Sequence, residues 1–164
     1  MSAKELTRVA VLAAILYCIY FLGSFFMYVE LVGFIVLLYG VSLNKKTAYL
    51  AALVFTFLVM LTRGIAPWSF MYVVVFPQYT LIYHFLSKLT KSEYIYAIVG
   101  FILSFMTGTI IEIPYILMTG MVGQSLITYL ILGFQVSLGN AACTFLATLF
   151  LLKPLRSLLQ KVNK

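Results

Sequence analysis

The sequence predicts an all-α membrane protein of six transmembrane helices with both termini cytoplasmic, and three observations carry that prediction. Hydrophobic residues make up 64% of the chain and charged residues only 9%, whereas about a quarter of a water-soluble domain is charged. The mean hydropathy is +1.11. Ten of the eleven basic residues fall in four clusters: Lys4 and Arg8; Lys45 and Lys46; Lys88 and Lys91; and Lys153, Arg156, Lys161 and Lys164. The positive-inside rule places all four clusters at the cytoplasmic face. Each apolar interval between them (9–44, 47–87 and 92–152) then crosses the bilayer and returns, with room for two spans of roughly 17 to 25 residues. At 164 residues the expectation is one integral membrane domain over 1–164, with no room for a soluble catalytic or nucleotide-binding domain.

The first span is expected over Thr7 to Phe25. Its basic flank resembles that of a secretory signal, but the apolar run is too long and ends in no small-residue cleavage site, so it reads as a mature helix. An outer turn at Gly23 to Tyr28 leads to a second helix, Val29 to Leu43, short enough for a full crossing to demand tilt or local thinning of the bilayer. Asn44, Lys45 and Lys46 form the first inner turn. A third helix, Thr47 to Leu61, ends at an outer segment punctuated by Gly64 and Pro67, with Trp68 at the interface. The fourth, Ser69 to Ser87, carries Pro77 near its centre, which removes a backbone hydrogen bond and marks either a binding cavity or a structural kink. The fifth and sixth, Tyr94 to Met118 and Ser125 to Leu152, are the longest and are joined by a turn over Thr119 to Gln124. A basic tail from Lys153 and Pro154 is expected at the inner surface.

The composition excludes several functions. A net charge of +7 belongs to helix ends beside anionic headgroups, not to a nucleic-acid surface. There is no Walker A loop, HExxH, GxSxG or cluster of metal ligands, hence no engine for ATP hydrolysis or covalent chemistry and no cofactor expected in this chain. Cys18 and Cys143 lack CxxC spacing and read as packing residues. His84 stands alone near an inner helix end, an interfacial side chain without the partners of a metal site or an acid–base pair.

Polar groups within the apolar spans need a reason, because a charge at the bilayer centre costs about 2.5 to 3.5 kcal/mol even on the lenient insertion scale. On helix five, Ser104, Gly108, Glu112, Tyr115 and Thr119 follow one face. That face is either a ligand wall or the site of a structural pair between Glu112 and Arg63. Gln135 near the middle of helix six and Gln78 beyond Pro77 place amides near the midplane, and Asn140 lies deeper. Each is either a ligand contact or interhelical glue. Glu30 at the start of helix two reads as a helix N-terminal carboxylate. The aromatics Tyr17, Tyr20, Phe25, Phe26, Tyr28, Trp68, Tyr72 and Tyr79 form either an interfacial belt or the lining of an organic-ligand pocket. Ala10 and Ala14, small residues at i and i+4, permit close helix approach, inside the bundle or with a partner.

With six spans, inner termini, small size, the AxxxA of Ala10 to Ala14 and no ATPase, the whole chain resembles an S component, the substrate-capture subunit of energy-coupling factor (ECF) vitamin ABC transporters. The resemblance implies that Ala10 and Ala14 dock on a transmembrane T component carrying two ABC ATPase subunits, which use ATP and Mg. It implies a vitamin pocket in the outer half, lined by helices four to six and capped by the first outer loop. Gly23 to Tyr28 then become a candidate lid. Tyr28, Arg63, Trp68, Tyr72, Gln78, Glu112, Tyr115, Gln135 and Asn140 become candidate substrate-binding residues. The location implied is a prokaryotic cytoplasmic membrane.

A water-soluble vitamin or precursor is the implied substrate. Abundant aromatics with few charges lean toward cobalamin, while Arg63 suits the carboxylate of pantothenate, and a pyrimidine- or pyridoxine-like compound stands beside them. Two other classes compete. One is a six-helix scaffold without a ligand, similar to the MreD subunit of the rod-shape machinery. The other is a membrane enzyme acting on lipid or isoprenoid substrates, which wants acidic or His residues clustered at one face; the four carboxylates here are scattered.

Overall fold

A computed structural model describes residues 1–26 and 28–162; Met27 of the candidate lid and Lys164 of the fourth basic cluster lie outside the described residues. Among the described residues the regular structure is all helical: α1 (Ala3–Gly23), α2 (Val32–Ser42), α3 (Lys45–Arg63), α4 (Pro67–Leu89), α5 (Glu93–Thr119) and α6 (Gly123–Val162). Four of these, α1, α3, α5 and α6, are long and apolar enough to cross a membrane, which makes this a helical membrane protein.

Local chemistry sets the helix ends. The Ser2 hydroxyl accepts from the Glu5 amide at 3.2 Å while the Ser2 amide donates to Glu5 Oε2 at 2.9 Å, a capping box that satisfies two otherwise orphaned donors of α1. Asn44 Oδ1 caps α3 by accepting from the Thr47 amide at 2.8 Å. Pro67 occupies the first turn of α4, where its missing N–H removes nothing. At the end of α5, Gly120 takes a left-handed φ of 62°, a conformation glycine adopts at little cost.

Described members of the four basic clusters gather at one end of the bundle: Arg8 and Lys46 both lie within electrostatic reach of Glu5 at the start of α1. Lys45 and Lys88 both approach the ring of Phe85, at 5.4 and 5.7 Å, and Lys153 Nζ lies 3.3 Å from Glu93 Oε1. Arg63 sits at the opposite end with Ser24.

α2 is the pivot of the packing. Nine of its residues, Val32 and Phe34 through Val41, are buried, against α1, α3, α4, α5 and α6. Its shortness therefore needs neither tilt nor a thinned bilayer, because α2 is wrapped by protein and meets almost no lipid. Three residues expected in this helix, Val29 to Leu31, precede it instead. Of these, Glu30 lines a cavity and Leu31 packs against the core, while Val29 is exposed. Glu30 consequently caps nothing: no side chain caps the start of α2.

The core joins Leu16, Val36, Phe55, Phe76 and Tyr83 across α1 to α4. Lipid is as apolar as these side chains, so their contribution comes from close packing and dispersion and not from removal from water. Buried polar groups are answered locally. The Tyr39 phenol donates to the Leu12 carbonyl at 3.0 Å, and the Thr80 hydroxyl donates to the Pro77 carbonyl at 2.7 Å, within an α4 that runs unbroken through Pro77.

α6 corrects one boundary. It does not stop at Leu152 but continues through Pro154 to Val162. Leu152 is buried and Leu155 and Leu159 pack against the core, so an apolar face at i, i+3 and i+7 keeps the helix docked past the proline.

Candidate functional site

At the end of the bundle away from the basic clusters, α4, α5 and α6 enclose with the segment before α2 a cavity of about 530 Å³. Its size falls in the range of roughly 300 to 1,000 Å³ that holds small organic ligands. Each wall has a sequence logic. On α6, Tyr129, Gly133, Val136 and Asn140 line the cavity at i, i+4, i+7 and i+11, one face of a helix. On α5 the lining is Ser104, Thr107, Gly108, Ile111 and Glu112; on α4 it is Tyr72 and Phe76, one turn apart.

The floor depends on a glycine. A Cβ on Gly33 of α2 would lie 2.8 Å from Thr144 Oγ1 and 3.1 Å from Ser104 Oγ, so a side chain here would displace those hydroxyls, and the glycine lets α2 approach α5 and α6 closely. The segment before α2 is seated on α6. The Tyr28 carbonyl lies where a Cβ on Gly139 would meet it at 2.8 Å, and it accepts from the Cys143 thiol at 3.7 Å.

Two carboxylates face the cavity from different walls. Glu30 Oε2 accepts from Asn140 Nδ2 at 3.0 Å, and Glu112 Oε2 accepts from the Tyr129 phenol. Tyr72 lies within electrostatic reach of both. Asn140 retains a buried Oδ1 without a hydrogen-bond partner. The hydroxyls of Ser104 and Thr107 complete the polar lining: Ser104 Oγ accepts from the buried Thr144 hydroxyl behind it at 3.2 Å, and the Thr107 hydroxyl donates to the Leu103 carbonyl at 2.7 Å. Among the described residues no Lys, Arg or His lines the cavity. A smaller chamber of about 250 Å³ shares Glu30, Tyr72, Val136 and Asn140 with it and extends beneath Gly23, Ser24 and Phe26. The Glu30–Asn140 pair thus stands between the two chambers.

Of the nine candidate substrate-binding residues, Tyr28, Tyr72, Glu112, Gln135 and Asn140 line the cavity. Four others do not. Arg63 is exposed, donates to Ser24 Oγ at 2.8 Å and stands 5.8 Å from the ring centres of Tyr20 and Phe21. It braces the α1 terminus and makes no pair with Glu112. Trp68 packs edge-on against Tyr72 at 5.5 Å, behind the wall. Gln78 is exposed in a groove with Lys45, Lys46 and Tyr49, because six residues beyond Tyr72 the helix has turned it off the inward face. Tyr115 is 38% exposed and meets the ring of Tyr129 at 5.9 Å, and Thr119 is exposed at the helix end. The predicted α5 stripe therefore enters the cavity only over Ser104, Gly108 and Glu112.

Sequence reasoning missed Tyr129, Gly133 and Ser137 as lining, and took Glu30 for a cap. The i, i+4, i+7, i+11 face through Asn140 was the available signal. Ala10 and Ala14 both lie exposed on α1, while Val9, Leu12, Ala13 and Leu16 face the core; the small pair is not used inside the bundle. Cys18 and Cys143 are free thiols, and the described residues contain no group of three or more His, Cys, Asp or Glu placed to hold a metal ion. Comparison of the chain with protein-family models, curated proteins and solved structures finds no match.

Proposed function

We propose that this chain is the substrate-capture S component of an ECF-type ABC importer. All six helices then span a prokaryotic cytoplasmic membrane with both termini inside. The observation that carries the reading is the cavity between α4, α5, α6 and the α1–α2 connection, at the end opposite the basic clusters. This is where the resemblance to S components expects a vitamin pocket and its covering loop. The exposed Ala10 and Ala14 support the same reading, because a smooth small-residue face suits docking in lipid.

In this mechanism the chain is non-catalytic. It captures a water-soluble vitamin or precursor from outside, associates with a T component through the Ala10–Ala14 face and reorients in the bilayer. Two partner ATPases, using ATP and Mg, drive release. The cavity volume favours a compact ligand over cobalamin, whose corrin ring and nucleotide loop exceed it. A ligand-free scaffold similar to MreD gives no role to two half-buried carboxylates that line one cavity.

Native mass spectrometry of the chain purified from cells grown in rich medium tests the proposal. A small molecule released at near-stoichiometric occupancy supports capture and names the ligand. An empty spectrum, with no thermal stabilisation by any of a panel of water-soluble vitamins, overturns capture and favours the scaffold.

A further inference from the structure

Resting on the capture reading, we propose that the cavity takes a compact organic cation, a protonated amine or a cationic heteroaromatic ring, held between the Glu30 and Glu112 carboxylates. Both acids line the same chamber, and each is met by a neutral donor, Asn140 Nδ2 or the Tyr129 phenol. Among the described residues neither forms a salt bridge. The salt bridge among the described residues joins Lys153 to Glu93 at the other end of the bundle.

Carboxylates in a membrane interior are costly and ordinarily pair with an opposite charge. Here the missing counter-charge has a place to sit, and the ligand supplies it. The rest of the lining agrees. The buried Asn140 Oδ1 has no donor to satisfy it, which suits a ligand rich in N–H groups. Tyr28, Tyr72, Phe76 and Tyr129 line the same space, and aromatic ring faces attract cations. The basic residue that lies outside the four clusters, Arg63, is engaged at Ser24, which lines the adjoining smaller chamber and not this cavity. In the larger cavity an anionic ligand would therefore meet two lining carboxylates and, among the described residues, no lining cation, which inverts the expectation that Arg63 receives a ligand carboxylate.

Thermal-shift and calorimetric titration of the full chain in nanodiscs decides the matter. The probes are thiamine, pyridoxamine and choline as cations, pantothenate and biotin as anions, and riboflavin as a neutral ring system. The expected result is saturable binding of a cationic probe, weakened at least tenfold by E30Q and by E112Q. Both substitutions keep a side chain of the same shape that still meets Asn140 or Tyr129, so folding is retained, and circular dichroism confirms it. Binding of pantothenate, biotin or riboflavin without any cation overturns this inference while leaving capture intact. Cation binding indifferent to both substitutions overturns it as well. No binding by any probe, with an empty native mass spectrum, overturns the capture reading and this inference together.

Discussion

Gly40 lies in α2 where that helix crosses α4, and its substitution by alanine tests how tightly the buried helix is held. A Cβ at Gly40 would lie 2.6 Å from the Tyr83 Cβ and 2.8 Å from the Thr80 carbonyl oxygen. Neither obstacle is the free end of a side chain, so relief requires the two helices to part by the better part of an ångström. Overpacking of this kind costs about 1 to 3 kcal/mol, and fixed obstacles put Gly40→Ala in the upper half of that range. The better helix preference of alanine returns about 0.5 to 1 kcal/mol. A net loss of about 1 to 2 kcal/mol follows. Gly133→Ala is the control: nothing lies within 4 Å of a Cβ there, so the helix preference acts alone and stability rises by about 0.5 to 1 kcal/mol. Thermal unfolding in detergent, followed by the fluorescence of Trp68, ranks Gly133→Ala above the parent and Gly40→Ala below it. A Gly40→Ala protein as stable as the parent would refute the α2–α4 contact, and with it the placement of Gly33 two turns along at the cavity floor.

Other substitutions separate structural from functional roles. Replacing Ala10 and Ala14 by leucine should abolish association with a T component and uptake while ligand binding by the isolated chain persists; loss of binding with association intact would contradict the docking assignment. Tyr129→Phe removes the donor to Glu112, and because hydrogen bonds in membrane bundles average about 0.6 kcal/mol, the melting point should fall only slightly while ligand affinity changes. A large loss of stability without an affinity change would make that pair purely structural. Lys153→Ala should be nearly silent in unfolding measurements: its side chain is 80% exposed, and such ion pairs contribute about 0 to 1 kcal/mol.

How far the site could be read from the sequence follows from helical geometry. Glu112 and Asn140 were legible because a polar side chain inside an apolar run demands a partner. Tyr72 and Gln135 were found by depth along the helix alone. Depth was also the criterion for Gln78 and Trp68, and it did not place them in the cavity, because the direction of a side chain depends on helix rotation as well as depth; Tyr115 was chosen by the helix face it shares with Glu112, and that face leaves the cavity beyond Glu112. Arg63 was drawn toward Glu112 by charge complementarity. Charge alone did not reveal that Ser24 and the rings of Tyr20 and Phe21 hold it first. Glu30 was misread for a different reason: α2 begins three residues later than expected, at Val32, so the carboxylate serves a contact with Asn140, 110 residues away in the chain.

By itself the sequence determined the solvent and the ordering of this protein. Apolar runs long enough to cross a bilayer, basic residues at their ends and capping residues such as Ser2 and Asn44 act over one or two helical turns, so they can be read locally. Only the tertiary structure decided that the short α2 would be the buried pivot. Only it brought Glu30 from one connection, Glu112 from α5 and Asn140 from α6 around one chamber. Those arrangements depend on which helices pack together and on how each is rotated about its axis. In lipid that choice is made by close contacts such as Gly33 and Gly40, whose neighbours are distant in sequence, and not by a gradient of hydrophobicity that the chain displays residue by residue.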